Sequence, residues 1–163
     1  MKRAAAILGI LAAIYFLPTI GMDVAASSRG VTSVPVPTDS WTARKYGTWE
    51  EKRAFRISVD PTRYPNLDAV VSAALPRGKE VERGPREVAF HSTSPGVDRV
   101  IEFRMTPLDD PEKIENTLTV VEAVHCKETF ACYRHAVLKS FDAARSAYNL
   151  SNLAGIRKTP NAG

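Results

Sequence analysis

The chain has 163 residues, with 22 basic against 18 acidic residues, a formal net charge of +4 and 44% hydrophobic residues. That is the composition of a globular chain, and so small a surplus of scattered basic residues excludes nucleic acid as the expected partner. No internal repeat is visible, and only two cysteines are present.

Met1, Lys2 and Arg3 form a positive start, and Ala4 to Ile20 (AAAILGILAAIYFLPTI) is an uncharged apolar run. A bilayer span takes about 20 residues, so the run is short for one, and Pro18 disturbs a spanning helix. Val24, Ala25 and Ala26 put small residues where a signal peptidase reads. Residues 1–26 are therefore expected to be a cleaved signal peptide, with retention of residues 4–20 as an inner-membrane anchor as the alternative. Either outcome places the remainder outside the cytoplasm, periplasmic or secreted, because Lys2 and Arg3 hold the N-terminus inside. No cysteine ends the run and no twin arginine precedes it, which points to the general secretory route.

Residues 27–50 read as a linker followed by an aromatic arm. SSRGVTSVPVPTDS is rich in Ser, Thr and Pro, and Pro35 and Pro37 force extended backbone. WTARKYGTWEE then brings Trp41, Tyr46 and Trp49 together. Such rings dock a partner or the bilayer interface, or more commonly cover one edge of a core; Trp41 and Trp49 are the candidate partner-binding residues.

Residues 51–154 are expected to form a single domain, and 155–163 a flexible tail. In RAFRISV, Phe55, Ile57 and Val59 alternate with polar or small residues, the period of a strand with one buried face. Asn66 is an N-cap for a helix in which Leu67, Val70, Val71 and Ala74 recur at helical spacing, stopped by Pro76 and Gly78. KEVER and REVAFHS, split by Gly84 and Pro85, are two short strands or one broken strand.

DRVIEFRMT puts Arg99, Ile101, Phe103 and Met105 on one face and Asp98, Val100, Glu102 and Arg104 on the other. TLTVVEAVH is apolar on both faces, which suggests a central strand. A closing helix over about 129–150 carries Val137, Phe141, Ala144 and Tyr148 as an apolar stripe expected to lie on the sheet.

The resulting order, β-α-β-β-(β)-β-α, predicts an α+β domain: an antiparallel sheet of four to five strands with two helices on one face. In element order it resembles a helix-grip or TATA-binding-protein-like arrangement. That resemblance implies a shape used for small binding cavities and protein docking, and it rests on element order alone.

HCKETFACYRH, at the junction of last strand and last helix, holds both cysteines and two of the three histidines. His125 and Cys126 are neighbours on a strand and point to opposite faces, so one ion cannot easily collect both. Cys132 and His135 stand one helical turn apart, which makes Cys126, Cys132 and His135 a conceivable metal set, although C-x5-C is wider than zinc-knuckle spacing. A thiol oxidoreductase needs the tighter C-x-x-C pair. Two cysteines flanking five residues in an oxidising compartment fit a structural disulfide best, stabilising by about 2 kcal/mol on the chain-entropy estimate. His125, His135 and His91 then need no further role.

No nucleophile elbow, zinc-protease helix, phosphate loop or calcium loop occurs. The acidic cluster Asp109, Asp110, Glu112 and Glu115 reads as solvated surface. Arg56, Glu87, Glu102 and Arg104 form an ion-pair ladder on an exposed sheet face, or line a cleft for an acidic ligand; the ladder is the simpler expectation.

These observations predict an exported, non-catalytic binding or accessory domain of the cell envelope, without cofactor, whose partner is a protein or a small apolar ligand. Membrane contact is expected only if the N-terminal segment is retained. The alternatives are a membrane-tethered component of an envelope assembly, and a metal-dependent protein or enzyme built on Cys126, Cys132 and His135.

Overall fold

A computed structural model describes residues 2–106 and 116–154. Its helices are α1 (Lys2–Ser28), α2 (Trp41–Lys45), α3 (Leu67–Ala74) and α4 (Thr129–Leu150), and its strands are β1 (Thr32–Val34), β2 (Glu51–Val59), β3 (Lys79–Arg83), β4 (Glu87–Ser94), β5 (Val97–Thr106) and β6 (Asn116–Cys126). The strands make one six-stranded antiparallel sheet in the order β1-β2-β6-β5-β4-β3. The α+β class is as expected, with more strands and helices than the periodicity predicts.

Alternation decides which residues face which way. On one face, Phe55 and Ile57 of β2 stand beside Val120 and Leu118 of β6, and these beside Phe103 and Met105 of β5. Val88 and Phe90 of β4 extend the same layer, and Leu67 and Val70 of α3 close over it. Removing these side chains from water supplies the main driving force for folding. Asn66 caps α3 as the sequence predicts, its side-chain oxygen accepting from the Ala69 N–H at 2.9 Å. Strand β6 lies between β2 and β5 and buries residues on both faces, again as expected.

Helix α4 departs from expectation. Its buried residues are Ala144, Ala147 and Leu150, all in its C-terminal half. The stripe of Val137, Phe141 and Tyr148 faces α1 instead of the sheet: Tyr15 Oη donates to the Val137 carbonyl at 2.8 Å, the Tyr15 and Phe141 rings lie 6.4 Å apart, and the Arg29 guanidinium sits over Tyr148. The cause lies beneath the helix. Beneath the helix from His135 to Ser146 the sheet presents Glu51, Arg53, Arg99 and Glu122, so the polar side of α4 turns inward and the apolar stripe is left for α1.

Residues 27–50 are not an unstructured linker. Val31 and Ser40 are buried, β1 pairs with β2, and α2 lies across the second face of the sheet. Three residues of strand and five of helix are too short to carry a period, and the prolines that signal a linker also suit an edge crossing. Glu102 is fully buried on this second face, where its carboxylate accepts from the Trp41 and Thr42 N–H groups at 3.2 and 2.7 Å. Arg104 pairs with Asp39, Glu87 and Glu102, so the expected ladder forms in part, but beneath the arm and without Arg56 among the described ion pairs. The expectation of an exposed face is thereby corrected.

Among the described residues no helix is long and apolar enough to cross a membrane. The acidic cluster at 109–115 and the tail at 155–163 lie outside the described residues.

Candidate functional site

The β4–β5 turn decides how α4 starts. Gly96 has a positive φ of 72° and accepts from Lys127 N–H at 2.7 Å; a Cβ there would meet the Ala131 Cβ at 2.7 Å. Only glycine combines that backbone with so close an approach. A few residues on, Cys126 and Cys132 are joined as a disulfide with their Cα atoms 5.2 Å apart. The link ties the last strand to the first turn of the helix, and the two cysteines are thereby removed as metal ligands. His135 is directed elsewhere, its Nε2 2.6 Å from Glu51 Oε2. The metal set of Cys126, Cys132 and His135 is therefore not assembled, and the described residues contain no group of three or more His, Cys, Asp or Glu placed to share an ion.

With its start held by the turn and the disulfide and its end sealed on the core, α4 bridges the sheet over an open groove of about 1230 Å³. Charges pair along the floor and just behind it: Arg99, Glu122, His135 and Asp142 line the groove, and Arg53 and Glu51 pair with them from outside the lining. Arg53 donates to Glu122 at 2.6 Å, approaches Glu51 at 3.3 Å and reaches Ser146 on α4 at 3.3 Å. Arg99 meets Asp142 at 3.4 Å. His135 Nδ1, buried and without a hydrogen-bond partner, stands 4.0 Å from the same carboxylate. The contacts of Arg53 with Ser146, of Arg99 with Asp142 and of Glu51 with His135 cross from sheet to helix, which holds α4 above polar strands without an apolar seam.

The walls differ from the floor. Arg134 and Arg145 lie eleven residues apart on α4, about three turns, and so share one face above the groove. Neither has an ion-pair partner among the described residues. Arg77 approaches from the α3–β3 loop and Lys79 from the start of β3. Leu75, Ile101, Phe130 and Leu138 supply apolar surface. Leu75 ends α3 in the left-handed region at φ 47° and is 77% exposed, a conformation that costs a branched residue of order 1 kcal/mol.

Trp41 and Trp49 lie on the other side of the sheet and line no part of this groove. The half-buried rings of Trp41, Tyr46 and Trp49 pack in series at 5.4 and 4.3 Å, and Trp49 stacks on His125 at 5.5 Å. His125 in turn bonds Glu50, holding that carboxyl below its ordinary pKa. Below the rings, Lys127 pairs with buried Asp98 and holds its carboxyl down as well. Burial, with the Asp98 charge, pushes the Tyr46 hydroxyl up. The arm covers a core edge, the commoner use of such rings.

Sequence reasoning named His135 and His91 and placed Arg99 and Ile101 on one strand face, but it did not bring the groove residues together. Arg99, Arg134, Asp142 and Arg145 come from two distant elements, and the only sequence signal was the polar side of α4 at helical spacing. No family model, curated protein or solved structure matches the chain.

Proposed function

We propose that this chain is an exported, non-catalytic binding domain whose ligand occupies the groove between α4 and the sheet. The ligand carries an anionic end and an apolar body. The observation that carries this reading is the pairing pattern: the floor charges are consumed by one another, whereas Arg134 and Arg145 on the wall have no described partner. A group held in a structural ion pair is poorly placed to move protons, while free guanidiniums suit a carboxylate or phosphate. Leu75 and Phe130, both strongly exposed at the rim, suit an alkyl or ring body. The disulfide supports a location outside the cytoplasm.

The test is calorimetric titration of the full chain with dodecanoate and, separately, with dodecanol. Dodecanoate is expected to bind, dodecanol about tenfold more weakly, and Arg134→Glu with Arg145→Glu to remove that preference while thermal melting is unchanged. Equal affinity for acid and alcohol, or a preference that survives both charge reversals, overturns the reading.

A further inference from the structure

Helix α1 raises a separate question, because its run from Ala4 to Ile20 is uncharged and apolar at nearly every position. A helix of that kind must be covered on every side. One side is covered by α4. Tyr15, Thr19, Met22 and Ala26, spaced by four, three and four, are the positions turned inward; Thr19 and Ala26 are buried, and Ala26 belongs to the core cluster. Past the helix end, Arg29 donates to Ser151 and Asn152 at 3.2 Å, and Val31 is buried.

The opposite side is bare. Ile14, Phe16, Leu17, Ile20 and Val24 are each more than half exposed, and Phe130, Tyr133 and Val137 of α4 likewise. Eight of the ten exposed large apolar residues among those described therefore sit on these two helices, which makes this a patch and not scattered exposure.

The helices run parallel, since Tyr15 lies beside Val137 and Arg29 beside Ser151. The uncharged run from Ala4 to Ile20 is shorter than the about 20 residues that a bilayer span takes, and among the described residues no helix is long and apolar enough to cross one. We infer that α1 is retained and lies along the membrane surface, with the α1–α4 face set into the headgroup boundary of an anionic bilayer. The chemistry on the page favours lipid as the occupant. The run from Ala4 to Ile20 is uncharged and follows Lys2 and Arg3 in the sequence, a charge pattern that suits an anionic surface, and Phe16, Phe130 and Tyr133 are of the type that settles at the interface. The inference stands on α1 and does not need the groove to bind anything.

The experiment uses the full chain, produced with its own N-terminus and exported. Intact mass is measured first, then flotation with vesicles of phosphatidylcholine and phosphatidylglycerol. The expected results are an uncleaved mass, co-flotation, and about a tenfold loss of vesicle partition in Leu17→Asp/Ile20→Asp with unchanged melting. Lys2→Glu/Arg3→Glu should weaken binding to the mixed vesicles and leave binding to phosphatidylcholine alone unchanged. A mature chain starting near Ser27 overturns the inference, as does failure of the wild type to float. So does a dimer in sedimentation that Leu17→Asp/Ile20→Asp dissolves in the absence of vesicle binding, because a second copy then covers the face.

Discussion

The two faces of the sheet are both covered, but by different physics. Toward α3 and α4, the cover is regular helix: at one end it closes on Phe55, Ile57, Phe103, Leu118 and Val120, and at the other it stands off over ion pairs and leaves a groove. Toward the arm, the cover is largely irregular backbone around the five-residue helix α2, laid on small residues such as Ala54, Ala89 and Ala123 and fastened by a buried carboxylate. Such chain follows the sheet closely, provided its free backbone groups find partners, as the first-turn N–H groups of α2, at Trp41 and Thr42, find Glu102. A straight helix cannot follow a twisted sheet along its whole length. The face with regular cover is therefore the one left with room for a ligand.

The sharpest way to break this contrast is at the closed end of the helix face. Leu118→Ala removes a fully buried side chain from the centre of the apolar layer and is expected to cost about 2–5 kcal/mol in denaturant unfolding. A loss well below that range means that the layer collapses onto the gap, and that α4 is not held by this core.

Glu102→Ala tests the other face. It leaves the Trp41 and Thr42 N–H groups without their acceptor and removes a neighbour of Arg104, and about 1–3 kcal/mol should be lost. Urea unfolding measures the loss. Hydrogen exchange should rise in α2 and the arm while α4 keeps its protection; faster exchange in α4 to the same degree would mean that the two faces are not independent.

The smallest effect is confined to acid. Asp98 carries a carboxyl held below its ordinary value of 3.8, first by its hydrogen bond from Lys127. Its folded pKa lies below the unfolded one, so its stabilisation is complete above about pH 4 and is lost as pH falls through the folded value. The denaturation midpoint is expected to drop below pH 4, and Asp98→Asn should flatten that drop and leave no pH-dependent gain above it. An unchanged acid limb in the variant would assign the drop to other carboxylates, such as Glu50 beside His125 or Asp39 beside Arg104.

Much of the scaffold was legible in the sequence because its elements are long enough to repeat. The helix at Leu67–Ala74 with its Asn66 cap, the inward and outward sets of Val97–Thr106, the doubly buried Asn116–Cys126 and the helix at Thr129–Leu150 all follow from periodicity and turn chemistry. The cysteine pair followed from an even count and a short separation. Thr32–Val34 and Trp41–Lys45 escaped because three or five residues span barely one period.

The candidate site was legible only in fragments. His135 stood out as a histidine near cysteines, yet its partner Glu51 is 84 residues away, and Asp142 meets Arg99 across 43. A helical stripe says which residues share a side, and it leaves open what that side meets. For Val137, Phe141 and Tyr148 the answer was α1, because the strand residues that α4 meets from His135 to Ser146 are charged.

The sequence by itself determined the α+β class, most strands, the cap, the disulfide and the apolar character of the first helix, all of which depend on near neighbours along the chain. Only the tertiary structure decided that α1 packs along α4, that Glu102 is buried beneath the arm and that α4 stands off the sheet over ion pairs. Those outcomes depend on which surfaces meet after the chain closes on itself, and pairings across that distance leave no local pattern to read.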